Sequence, residues 1–499
     1  MDNQNNQGKE IIQNEICHNG MYPPYPQPPV YYGETEEQKQ KRAEVFKMMA
    51  LPTVIYAFLY TFCLYKNSNS IMTPVFVLAT LWYCKTVLAK EQQKLKPFSI
   101  FCIAGMLLLA VSAACTGSAP LIFMNLAGIF FLLVCTLLFQ CCNTENWTIA
   151  KGFSAIVTAI CGAIGCIGEP FSDFSCFQKK RVRKKDSRAG YIFLGVLFAI
   201  PVLLIIVALL YCADAVFADM LRSVFDFDIG VSGVVPAGMM FCYALFASYC
   251  GIRYLEKGTI SSESKDYRKF EPVVANTILV LVSAVYLAFS AIQILYLFWG
   301  NMQLPDGYTY AEYAREGFFQ LLFVCMINVG LVLFFMGCFR ENWLKKILLT
   351  VISLCTYIML ASSALRMCMY IENYNLTFLR VLVLWLLGLT GILLAGILLQ
   401  IYKDRFPLFR YTIVTVTVFV LGFTFSHPDY WIAKYNTARQ DYSYIGHLSA
   451  DAAPALDGCT AEEMKPYINR VNDHAGEMTF RTFNFSYAVA EKVMDNIQK

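Results

Sequence analysis

The feature that most constrains this chain is repeated along it: runs of about 20 apolar residues without charge, separated by short charged clusters. Each run is long enough to carry a helix across hydrocarbon. Helices and closed barrels are the only structures that satisfy their own backbone there. The runs lie near 46–65, 70–89, 97–115, 120–141, 190–212, 231–251, 273–299, 317–338, 347–370, 379–401 and 408–426. Charged residues make up 15% of the chain, against about 25% in soluble domains, and mean hydropathy is +0.49. The pattern excludes a set of soluble domains. It predicts an all-α, polytopic integral membrane bundle of eleven transmembrane helices, with the lipid bilayer as its first partner.

A twelfth apolar stretch, 147–167, carries Lys151 and several glycines and ends at Glu169-Pro170. Loop charge decides its place. Basic clusters occur at Lys39/Lys41/Arg42/Lys47, Lys85/Lys90/Lys94/Lys96, Lys179 to Arg188, Arg253/Lys257/Lys265/Arg268/Lys269, Arg340/Lys345/Lys346 and Lys403/Arg405/Arg410. With 147–167 left unspanned, all six fall on one side, and the opposite loops hold Lys66, Arg222, Arg315 and Arg380. Positive residues stay in the cytoplasm. The N-terminus is therefore expected inside, the C-terminus outside, and 147–167 along the inner surface. The run Lys179–Lys185 is expected to meet anionic lipid headgroups.

The domain plan follows. Residues 1–45 form a disordered cytoplasmic tail with a Pro/Tyr tract at Met21–Val30, and 46–141 the first four spans. Residues 142–189 hold the amphipathic helix and basic loop, and 190–426 a seven-helix membrane domain. Residues 427–499 form a small extracytoplasmic tail with helices expected at 460–472 and 485–497. The first apolar run reads as an anchor, not a cleavable signal. The 19 cysteines sit mostly in apolar runs and form no metal spacing, so neither disulfides nor a metal or cofactor site is expected. Basic residues segregate by loop, which argues against nucleic-acid binding.

No catalytic motif is present. Polar residues instead gather toward the expected outer boundary: Asp214 after the fifth span, Arg315 and Glu316 before the eighth, and Arg366 and Tyr370 one turn apart in the ninth. Tyr374, Thr377 and Arg380 form the turn into the tenth, and Asp429 and Asn436 follow the eleventh. Thr377 suits a helix N-cap, Arg380 can snorkel, and Arg366 can pair with a nearby carboxylate. Together these residues make either a binding site or a salt-bridged rim.

Several segments share an order with a known family. Ala213-Asp-Ala-Val-Phe217, Tyr313-Ala-Arg-Glu-Gly-Phe-Phe-Gln-Leu321 and Arg366-x-x-x-Tyr370 come first. Tyr374-Asn-Leu-Thr-x-x-Arg380, His427-Pro-Asp-Tyr-Trp-Ile-Ala-Lys-Tyr-Asn436 and Tyr444–Leu456 follow. Over roughly 190–485 they resemble an uncharacterised bacterial membrane family known as domain of unknown function 4153 and 4173. Asn375 stands where that family often has Gly, and His427 where it often has Asn; both are turn positions. The resemblance implies a multi-pass protein of the bacterial cytoplasmic membrane and supplies no activity.

Three readings follow. The first is a non-enzymatic sensor, regulatory or scaffold protein of the cell envelope, whose outer polar site binds an envelope or signalling protein partner. The alternative is a transporter or flippase for a small or lipid-linked solute, motivated by Pro201 and Pro236 within spans. The third is an envelope enzyme using Asp214, Glu316 or Asp429.

Overall fold

The computed structural model describes residues 35–88, 94–144, 147–182, 231–258, 268–295, 310–456, 459–475 and 478–498, with Ile206 and Ile260 besides. Its helices are α1 (Glu36–Leu64), α2 (Met72–Leu88), α3 (Pro97–Ala114), α4 (Ala119–Cys141), α5 (Ile149–Gly165) and α6 (Glu169–Val182). They continue with α7 (Val231–Glu256), α8 (Pro272–Gln293), α9 (Tyr310–Cys338), α10 (Trp343–Tyr374), α11 (Phe378–Tyr402) and α12 (Leu408–Phe425). The tail adds α13 (Pro428–Ala438), α14 (Ala461–Ala475) and α15 (Phe485–Gln498), close to the two helices expected there. Among the described residues, eight helices are long and apolar enough to cross a membrane, nine if the bent pair α5–α6 counts as one crossing. The expected span at 190–212 lies outside the described residues.

Local chemistry starts these helices where they start. Thr35 and Gln38 form a capping box before α1, and Asn342 caps α10 by accepting from Leu344 N–H. Pro97 and Pro272 open α3 and α8, where a missing N–H costs nothing. Within the spans, hydroxyls return to their own helix: Thr53 donates to Met49 O at 2.7 Å and Thr356 to Ile352 O at 2.8 Å. A hydroxyl satisfied this way can enter hydrocarbon. The outward faces are apolar, with Phe58 65% and Phe323 65% exposed. Several helices carrying such residues outward are what a lipid solvent permits and water does not.

The helix ends sort into two faces. Arg410 at the start of α12 lies over Phe98 and Phe139, and Lys96 Nζ donates to Cys142 O at 2.9 Å. Arg268, Lys345 and Lys346 gather around Glu341. The start of α3, the end of α4 and the starts of α10 and α12 thus share one basic end. Helix α5 touches this end twice. Gly152 lies against the Phe409 ring at the start of α12, and Gly162 against the Tyr254 ring at the end of α7; a Cβ at either glycine would collide with the ring. After a 52° bend, α6 follows.

Helix α6 is anchored by charge. Asp173 is fully buried and accepts from Arg42 Nε at 2.6 Å, from Arg253 Nε at 2.9 Å and from Tyr249 Oη at 2.9 Å. Beside it, Glu169 takes Arg42 at 2.8 Å and Lys257 at 2.7 Å. One carboxylate therefore ties α1, α6 and α7 together. Removing it leaves Arg42 with Glu169 and Arg253 with Glu256 at 2.9 Å, and takes away the buried carboxylate that both share. Asp173→Ala is expected to destabilise the protein by about 3–5 kcal/mol. Lys257→Ala, at the exposed edge of the cluster, is expected to change stability by about 0–1 kcal/mol. Thermal unfolding midpoints of the detergent-solubilised variants give the comparison, and equal shifts contradict it.

Candidate functional site at the capped face

The opposite ends of the spans are covered by residues 427–498. Helix α13, two 3₁₀ turns (Ile445–His447 and Ala450–Ala455), α14 and α15 enclose a small core of their own, including Ile432, Leu448, Tyr467 and Met494. This cap is clamped to three separate turns between spans. At the α1–α2 turn, Phe483 O accepts from Ile71 N at 3.0 Å and Arg481 Nη1 donates to Tyr65 O at 2.7 Å. At the α3–α4 turn, Asn484 Nδ2 donates to Thr116 O at 3.0 Å. At the α10–α11 turn, Asn436 makes two bonds with the Leu376 backbone, at 2.9 and 3.0 Å.

A buried polar node lies under the cap. Asp451 accepts from Thr116 Oγ1 at 2.5 Å, from Gly117 N at 2.7 Å and from Ser486 Oγ at 2.5 Å, and pairs with His427 Nδ1 at 3.2 Å. Asp429 is also buried and accepts from Ser449 N at 3.1 Å and Ser449 Oγ at 2.5 Å. Tyr467 Oη donates to Ser449 O at 3.1 Å and closes the far side. The hydrogen bond to Asp451 raises the His427 pKa, against a smaller opposing effect of burial. Burial raises the Asp429 pKa, and the nearby Asp451 adds to it. The node therefore favours bound protons. Ser449 donates to a carboxylate and not to an imidazole, so it is not set up as an activated nucleophile. Among the described residues no group of three His, Cys, Asp or Glu side chains is placed to hold a metal ion.

The residues singled out in the sequence divide among several places. Asp429 and Asn436 belong to the cap and its clamps. Arg380 reaches back to the carbonyls of Tyr374 and Asn375, closing the end of α10, and lies 4.2 Å from the Tyr370 ring centroid. Tyr370 and Tyr374 pack ring to ring at 5.1 Å. Thr377 occupies the N-cap position of α11, but its side chain makes no capping bond. Phe378 N–H in that first turn is met by Tyr444 Oη at 3.4 Å. Arg366 is buried, with its guanidinium against Gly317, where a Cβ would collide with it. Arg315 and Glu316 lie in the first turns of α9, and their side chains are outside the described residues, as is Asp214. Sequence reasoning missed Asp451, Ser449, Thr116 and Asn484. Asp451 stands inside the Tyr444–Leu456 segment, so its signal was the motif itself.

Both departures from the family pattern fall on left-handed backbone. His427 has φ 47° and ψ 66°, a region that Asn tolerates better than most residues. Asn375 has φ 60° and ψ −178°, a region essentially reserved for Gly. Its side chain compensates by donating to Asp441 Oδ2 at 2.6 Å. Asn375→Gly exchanges strain of about 1–3 kcal/mol for a hydrogen bond of about 1 kcal/mol, so its unfolding midpoint is expected at or above wild type. Asn375→Ala keeps the strain, loses the bond and falls below.

The sign of the pH dependence follows from the two raised pKa values. A group with a raised folded pKa stabilises most below its unfolded pKa, and that contribution fades as pH climbs through the folded one. For His427 the loss begins near about pH 6.5; for Asp429 it begins in the ordinary carboxylate range. Attachment of the cap is expected to weaken from pH 6 to 8.5, measured as faster protease release of residues beyond 427. His427→Asn flattens this trend above neutrality. An unchanged slope in that variant rejects the assignment.

A family model described as Domain of unknown function (DUF4153) matches residues 103–458. No curated protein and no solved structure matches. The matched region begins earlier than the segments that suggested it, taking in Thr116 and Gly117, and it ends within the cap after Asp451. The chain belongs to the family described as Domain of unknown function (DUF4153).

Proposed function

We propose that this chain is a non-enzymatic sensor, regulatory or scaffold protein of a bacterial cytoplasmic membrane. It crosses that membrane eleven times, with its basic end in the cytoplasm and its cap outside. The cap receives an envelope or signalling protein partner. The observation that carries this reading is the use of the capped face's polar side chains as joints. Asn436, Asn484, Arg380 and Asp451 each hold backbone or hydroxyl groups of another segment in place. A cap fixed to three turns moves with the bundle, so a load on it reaches the spans. Exposed Tyr374 and Trp431, on neighbouring parts of this face, offer a partner aromatic contacts.

The sorting of basic groups supports the orientation. The two contacts of α5 with the basic end support its lying along that face, and the Lys179–Lys185 stretch that follows is proposed to meet anionic headgroups there. The transporter alternative has less behind it. Pro236 sits inside the continuous helix α7, and Pro201 lies outside the described residues.

Two measurements test the proposal. Alkaline phosphatase joined after residue 499 is expected to be active and, joined after residue 185, inactive. The reverse pattern overturns the orientation. A photo-crosslinking amino acid at position 374 or 431 is expected to capture a protein of defined mass in cells, and the adduct is lost in Asp451→Ala at equal membrane abundance. Capture of lipid alone sinks the partner reading.

A further inference from the structure

A cavity of about 970 Å³ lies between α1, α2, α4, α5 and α7. It runs along the bundle from Leu64, the last residue of α1 at the capped end, down to Ile164 and Ile167 of α5 and its following turn at the basic end. Its length thus runs from the capped end to the basic end, and α5 forms its floor. Its size is at the top of the range of about 300–1,000 Å³ for small-molecule sites.

The lining is almost wholly apolar. Of its six hydroxyls, four are engaged with another hydroxyl or with their own helix: Tyr56 Oη with Thr80 Oγ1 at 3.1 Å, Tyr83 Oη with Thr53 Oγ1 at 3.1 Å, and Ser248 Oγ with Ala244 O at 2.6 Å; Tyr60 and Tyr243 supply the other two. A polar solute would find few partners here, and desolvating it would cost free energy without return. Large side chains in the lining nevertheless stay largely uncovered. Phe130 is 53% exposed, and Ile164 and Tyr243 63% each. Interiors pack to the density of organic crystals, and a space this size lined by such groups calls for hydrocarbon. Since the surrounding helices include spans, the hydrocarbon at hand is the bilayer's own.

We propose that this cavity is a binding site for the acyl chains of a membrane phospholipid, retained between α4 and α7 above the α5 floor. The site is separate from the capped face, and the inference stands independently of the partner reading. It assigns α5 a second task. Besides lying at the basic end, α5 closes one end of a lipid site.

The test uses the full-length protein in nanodiscs containing a phosphatidylglycerol with a diazirine in its acyl chain. The sample is passed into excess detergent, so that only retained lipid remains, and is then irradiated. Peptides of α4 and α7 that contain Phe130 and Tyr243 are expected to carry the label. Ala163→Trp and Ala247→Trp, which place an indole in the cavity, are expected to abolish it there. Labelling confined to outward residues such as Phe58, or no labelling after detergent exchange, overturns the proposal. So does unchanged cavity labelling in both tryptophan variants. If one variant fails to fold, the other and the wild-type map still decide.

Discussion

Hydrocarbon penalises unpaired polar groups, and most of this structure answers to that constraint, with the buried Ser99, Ser283 and Ser290 hydroxyls as exceptions. It explains why hydroxyls such as those of Thr53 and Thr356 return to the preceding turn and why large aromatic and aliphatic side chains face outward. It also drives ionic chemistry to the two ends. Lys345 shows the limit. It is fully buried at the start of α10, yet its ammonium donates to Phe339 O at 2.9 Å and lies 3.6 Å from Glu341. A buried cation survives there because the helix ends supply both a carbonyl and a carboxylate.

The same constraint makes the turns between spans demanding. A short turn must reverse the chain and satisfy several exposed carbonyls at the end of a helix. In the α10–α11 turn, Arg380 does most of this, reaching the carbonyls of Tyr374 and Asn375, while Asn436 from the cap takes both backbone groups of Leu376. The left-handed backbone at Asn375 is the geometric cost of so tight a reversal. Of the side chains that sequence alone presents as a polar cluster, Arg380 and Asn436 are here occupied with the backbone of this turn.

Much of this architecture was legible beforehand, and for a physical reason. Hydropathy and loop charge report on the solvent each residue meets, and solvent is what a bilayer imposes most strongly. The apolar helices α3, α4, α10, α11 and α12 follow directly, and the tail helices expected at 460–472 and 485–497 appear as α14 and α15. Partners were another matter. Asp173 reads as one more acidic residue in a polar loop, and nothing local says that Arg42 and Arg253 converge on it from 131 and 80 residues away. Asp451 was visible within a motif but not as an acceptor for Thr116, 335 residues distant. Long-range pairing of this kind leaves no periodicity. The expected N-cap bond of Thr377 failed for a related reason, since Tyr444 of the cap meets the first turn of α11 instead.

The two ends of the bundle use the same device with different chemistry. At each, a buried aspartate gathers donors from segments far apart in the chain. At the basic end the counter-charges are guanidinium groups, which stay protonated across any pH the protein meets. No cation of that guanidinium joint changes its charge near neutrality. At the capped end the cation paired with Asp451 is the imidazole of His427, whose charge changes near neutrality, and Asp429 beside it is itself pushed toward its neutral form by burial. The cap is therefore the end whose attachment is expected to depend on pH. Asn, the residue at the His427 position in the pattern this chain resembles, fits the left-handed backbone at least as well but cannot carry a proton. The histidine thus adds a sensitivity that the turn does not require, and it does so in the joint through which the cap grips the α3–α4 turn.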